Sequence, residues 1–247
     1  MNRGAQAGVL LLLGAALGYA GLTDLYLRYV KAGLQPLLLV AGGVLIVAAV
    51  ATIWFERRRP RAAGEGAEQE HREHEHHEHE HREPRIAWLL VLPLLALIFV
   101  APPPPGSYAA MRDGTALQQP WDLSALPADD PVPLGLVDYA GRAAYDHGRS
   151  LGDRRITTSG FISLDESGAP YLVRMVLNCC AADARPVKVG LTGRIPPILQ
   201  PDTWYEITGV HTDRQAADPI NNGVIPYIDV MEARPVPAPD DQYDSAS

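Results

Sequence analysis

Two stretches of this 247-residue chain hold residues whose type and spacing suit chemistry. The first is NCCAADARP, in which Cys179 and Cys180 are adjacent and Asp183 follows three positions later. Two thiols and a carboxylate are a ligand set for a soft or borderline metal ion such as zinc, or for a thiophilic compound, with His147 or His211 as further ligands. Adjacent cysteines have Cα atoms only about 3.8 Å apart, so a disulfide between them is strained. Their thiols point to opposite faces of a regular strand, so both reach one ion only if the chain bends there. The competing reading puts one cysteine in the core and one at the surface, with Asp183 capping a turn.

The second stretch, EQEHREHEHHEHEHRE at 68–83, carries His71, His74, His76, His77, His79 and His81, six of the eight histidines. Neutral imidazole binds zinc, copper or nickel, and in a helix His77 and His81 share a face. The interleaved glutamates add oxygen ligands or orient the rings. The tract is of low complexity and makes no packed core, so a metal buffer or sensor competes with a solvated spacer that gains charge below about pH 6.5. The chain lacks a phosphate-binding glycine loop, and H-E-x-x-H outside that tract. A thiol oxidoreductase is disfavoured because the usual redox pair is separated by two residues. The expectation is a protein that is not an enzyme.

The elements that position these residues divide at about residue 105. Residues 1–105 hold 10 acidic and 10 basic groups, and residues 106–247 hold 19 and 11, so the formal charge of −8 belongs to the C-terminal part. With no basic face to displace phosphate counterions, no nucleic-acid partner is expected. Ala7–Leu22, Gln35–Phe55 and Ile86–Ala101 carry no charged residue. About 20 apolar residues cross a hydrocarbon core roughly 30 Å thick. The second segment meets that length, and the first and third do so with flanking interfacial residues. Three transmembrane helices are therefore expected; a cleaved signal peptide is the competing reading of the first.

Arg57, Arg58, Arg59 and Arg61 follow the second segment and Arg82 and Arg85 precede the third, against Arg28 and Lys31 in the first connection. The positive-inside bias places the loop in the cytoplasm and the C-terminal part outside. The domain reading is two transmembrane helices in 1–55, a His/Glu-rich cytoplasmic loop in 56–85, a third helix with a Pro-rich exit in 86–105, and a linker in 106–130. An extracytoplasmic β-rich domain follows in 131–237, and a disordered tail in 238–247. Leu136–His147 has the pattern of a short helix. Arg154–Leu164, Tyr171–Cys180, Pro186–Gly193, Trp204–Thr212 and Ile225–Val236 have that of strands separated by turn residues. Gly209 would permit a bend or bulge in the fourth strand. Five such strands suggest a small, partly open, OB-like barrel.

With these residues in view, the chain resembles the YcgQ-like family of bacterial membrane proteins, described as permease accessory subunits. The resemblance rests on YLRYVKAGLQPLLLVAGGVLI, on WLLVLPLLALIFVAPPPPGS, and above all on VRMVLNCCAADARPVKV followed by WYEITGV. It implies a partner, a larger multi-span permease subunit, and no established enzymatic activity. Zinc-responsive regulation of some members would agree with the histidine tract. The resulting expectation is a multi-pass protein of the cell membrane, a non-catalytic accessory subunit of a permease complex handling a transition metal, zinc first. The alternative is a membrane-tethered binding module whose barrel recognises a ligand, with Tyr171, Trp204, Tyr205 and Tyr227 forming a stacking face.

Overall fold

Long apolar runs, with Pro36 confined to the first turn of the second, form two helices at the N-terminus of the computed structural model, which describes residues 3–58 and 104–245. Helix α1 spans Arg3–Leu22 and α2 spans Gln35–Arg58. Ala32–Phe55 is long and apolar enough to cross a membrane, whereas Gln6–Leu22 is apolar but shorter. Of the three expected spans, one therefore meets that criterion, and Ile86–Ala101 lies outside the described residues. The two helices approach through glycines. A Cβ at Gly14 would sit 2.7 Å from the Ile46 side chain and 2.9 Å from the Gly42 carbonyl oxygen, and one at Gly42 would sit 3.1 Å from the Gly14 carbonyl oxygen. Small residues let helix backbones come this close, which is how helices associate where no hydrophobic force separates protein from lipid. At the end of α2 the Arg58 guanidinium lies 3.7 Å from the centre of the Trp54 ring.

The remaining described chain, residues 24–35 and 104–245, forms a second unit. Its strands are β1 (Val132–Pro133), β2 (Ile156–Leu164), β3 (Pro170–Leu177), β4 (Arg185–Gly193), β5 (Trp204–Ala217), β6 (Val224–Pro235) and β7 (Tyr243–Ser245). The five strand patterns in the sequence correspond to β2–β6. Pairing runs β2–β5–β6–β4–β3 and returns from β3 to β2, so these strands close into a ring in which β4 and β6 are parallel. The barrel is thus closed, where a partly open one was expected, because Phe161–Leu164 pair with Pro170–Val173. The β5–β6 register shifts at Thr208/Gly209. A Cβ at Gly209 would meet the Asp229 carbonyl oxygen at 2.5 Å, so the bulge anticipated there requires glycine.

The barrel interior follows from alternation. Ile156, Ile162, Leu172, Val176, Val187, Val189, Ile207, Ile228 and Val230 form one buried cluster. Helix α4, Leu136–Tyr145, adds its apolar face to this cluster through Leu136, Tyr139, Ala140 and Ala143. Tyr139 donates its hydroxyl to the Tyr227 carbonyl at 2.7 Å, satisfying the one polar atom of a fully buried ring. A second cluster lies on the outer side of β2, β3 and β5. Phe161, Val173, Met175, Leu177 and Trp204 are covered there by Ala110 and Tyr243.

Those two covering residues correct the domain reading. The stretch 106–130, expected as a linker, contains helix α3, Ser107–Arg112, whose first residue is held by Asp202 through its backbone N–H and hydroxyl. The stretch 238–247, expected as a disordered tail, contributes β7, which pairs in parallel with Met175–Leu177. Residues 113–115 are pinned as well. Lys188 and Asp218, both fully buried, form an ion pair of 2.9 Å. Lys188 also donates to the Asp113 carbonyl, and Asp218 accepts the backbone N–H groups of Thr115 and Ile220.

Candidate thiol and carboxylate site

Strand β3 ends at Leu177, three residues before the expected limit at Cys180. The reason lies in Asp183. A short 3-10 turn, Ala181–Asp183, brings its carboxylate back over the strand end. There Oδ1 accepts the backbone N–H of Asn178 at 3.1 Å and Oδ2 accepts that of Cys179 at 2.9 Å. A carboxylate that takes up two main-chain donors competes with continuation of the ladder and terminates it. The turn-capping role foreseen for Asp183 is therefore real, and it coexists with a geometry suited to ligation.

Because the chain bends at residues 178–180, the two thiols do not alternate across a sheet. One ligand atom from each of Cys179, Cys180 and Asp183 lies within 4.8 Å of the others. Cys179 is exposed, Cys180 is half-buried, and both are free thiols. The Cys179 thiol donates to Asp183 Oδ2 at 3.1 Å. That hydrogen bond to a carboxylate, followed by the neighbouring Cys180 thiol, pushes the Cys179 thiol up to about 11. The same thiol and the backbone N–H groups of residues 178–180 hold the Asp183 carboxyl below its ordinary value.

Main-chain bonds tie the site to the connection between α1 and α2. Val30 and Cys180 form an antiparallel bridge. The Lys31 N–H donates to the Cys179 carbonyl at 3.2 Å, and the Ala181 N–H to the Tyr29 carbonyl at 2.7 Å. Tyr243 of β7 adds a hydroxyl bond of 2.8 Å to the Arg28 carbonyl. Nothing in the sequence pattern of residues 24–34 announces this pairing. Beside the site, Asn178, Asp183, Arg185, Asp138, Leu117 and Val137 border a cleft of about 260 Å³.

Other expected ligands lie elsewhere. Among the described residues the cluster contains no histidine. His211 packs against Gly148, the neighbour of His147, and its Nε2 lies 3.4 Å from Asp213. His71, His74, His76, His77, His79 and His81 lie outside the described residues. The expected stacking face is not displayed either: Trp204, Tyr205 and Tyr227 are buried and Tyr171 is half-buried. Aromatic residues at strand positions went into the two cores, because burying a ring removes more apolar surface from water than any other side chain would.

Residues 142–244 match the model of the DUF1980 C-terminal domain. The DUF1980 match runs from the last turn of α4 through β7, and so includes the whole closed ring and the Cys179–Asp183 turn. It agrees with the resemblance to the YcgQ-like family over the part of the chain where that resemblance was most specific. No curated protein and no solved structure matches the chain.

Proposed function

We propose that this protein is a non-catalytic accessory subunit of a membrane permease complex, with its DUF1980-like barrel outside the cytoplasm and a transition metal, zinc first, as the cargo. The observation that carries the reading is the pairing of Tyr29–Lys31 with Cys179–Ala181. A barrel that serves as a head on a passive anchor has no need of main-chain bonds to the turn between two apolar helices. Here that turn is itself part of the barrel unit.

The same pairing bears on topology. Residues 24–35 and the barrel share one side of the membrane, because they are hydrogen-bonded to each other. If α2 crosses, its arginine-bearing end lies on the opposite side, and the chain returns somewhere within residues 59–103. Ile86–Ala101 is the uncharged segment in that interval. This supports three spans, with Arg57 and Arg58 in the cytoplasm. The burial of Trp204, Tyr205 and Tyr227 removes the stacking surface on which the tethered-module alternative relied.

Affinity purification of the tagged full-length protein from its own membranes in mild detergent, followed by mass spectrometry, tests the proposal. A multi-span permease recovered in stoichiometric amount is the expected result. Recovery of the protein alone, under conditions that keep other membrane complexes intact, would overturn it.

A further inference from the structure

The Cys179–Asp183 turn is built as a ligand set before any ion arrives. Its carboxylate is fixed by the N–H groups of Asn178 and Cys179, so the oxygen ligand needs no ordering on binding. Its two thiols come from adjacent residues but converge, because β3 has already ended. The backbone on either side is held by Val30 and Lys31, which keeps Cys180 extended and both sulfurs near Asp183. Cys179 is exposed, so one side of the cluster opens to solvent.

We propose that Cys179, Cys180 and Asp183 form an open, three-ligand surface site for a thiophilic divalent cation of the zinc and cadmium class, with the fourth position left for exchange. Sulfur ligands select against calcium and magnesium, which take oxygen. Structural zinc sites are closed by four protein ligands, whereas three protein ligands leave a position for water or an incoming group. Binding exchanges two S–H bonds for two metal–sulfur bonds and releases both protons to solvent, with no change of oxidation state. Two thiolates and a carboxylate around a divalent ion leave one net negative charge, so the fourth ligand is a neutral donor such as water or an imidazole. The inference rests on the metal part of the reading above and not on its permease part.

The test is a cadmium titration of the full-length protein in detergent with a phosphine reductant, following the near-ultraviolet thiolate-to-metal charge-transfer band that imidazoles do not produce. The expected result is a band saturating at one ion per chain, reversed by a chelator and competed by zinc. Cys179→Ser and Cys180→Ser should each abolish it, and Asp183→Asn should weaken binding by about tenfold or more. Replacing the six tract histidines with alanine should leave it unchanged. Because Asp183 also caps the turn, a second measurement uses only the native sequence: cadmium should protect both thiols from maleimide. Absence of the band in the native protein, its survival in Cys180→Ser, or alkylation unaffected by cadmium would overturn the site. An intact band in a protein that recovers no permease would overturn the permease reading alone.

Discussion

At the residue scale, the Lys188–Asp218 pair shows how far the barrel relies on one buried interaction. Both side chains are essentially inaccessible, and between them they hold Asp113, Thr115 and Ile220. Burial alone would raise the Asp218 carboxyl, but the Lys188 ammonium and the two backbone N–H groups outweigh it and hold it below the ordinary carboxylate value. Asp218→Asn leaves a buried ammonium without its counter-charge and should cost about 3–5 kcal/mol, read from denaturant unfolding of the full chain in detergent. The pH sign follows from the depressed value. The contribution is present above the ordinary aspartate pKa of about 3.9 and is lost as pH falls through the lower folded value. Melting temperature should therefore drop below about pH 4, and this part of the drop should vanish in Asp218→Asn. An unchanged acid profile in the variant would show that other carboxylates govern it.

At the element scale, the five barrel strands were legible as short runs of strand-forming residues between turn residues, with alternate burial at Ile156, Thr158 and Gly160 of β2. Helix α3 and strand β7 were not. Ser107–Arg112 is six residues long in a Pro- and Asp-rich stretch, and Tyr243–Ser245 is three residues long. Both exist because they cover apolar residues on the outside of β2, β3 and β5, and local propensity carries no record of that surface. The limit of β3 was misplaced for a related reason, since the strand stops where a side chain six residues further on claims its N–H groups. The α1–α2 hairpin offers a sharper test of packing. Gly42→Leu should lower the melting temperature of the full-length protein, because a Cβ there meets the Gly14 carbonyl oxygen at 3.1 Å. Gly43→Leu, where a Cβ meets nothing within 4 Å, should be close to neutral. Equal effects would mean that this approach of the helices does not contribute to stability.

At the scale of the whole molecule, the paired Tyr29–Lys31 segment makes the first connection a part of the barrel unit, and the proposed topology puts that unit and the arginine-bearing end of α2 on opposite sides of the membrane. Labelling of intact cells with a membrane-impermeant maleimide checks this. Exposed Cys179 should react from outside, whereas a single cysteine introduced as Glu65→Cys, in a chain with Cys179→Ser and Cys180→Ser, should react only after lysis. Labelling of both positions from outside would place the charged loop and the barrel on one side and remove the third span.

The sequence by itself determined which side chains are available: two adjacent thiols, a nearby carboxylate, a histidine tract, uncharged segments of membrane-spanning character and five strand-like runs between turn residues. Such properties depend on residue type and on periods of two or four residues, so they survive without knowledge of the fold. Only the tertiary structure decided that Cys179 and Cys180 lie on a bend, that Asp183 faces both, that His147 and His211 stay away, and that residues 29–31 pair with residues 179–181. Each of these is a meeting of groups whose separation in the sequence says nothing about their separation in space. The last joins residues about 150 positions apart through main-chain bonds, which carry no side-chain signature.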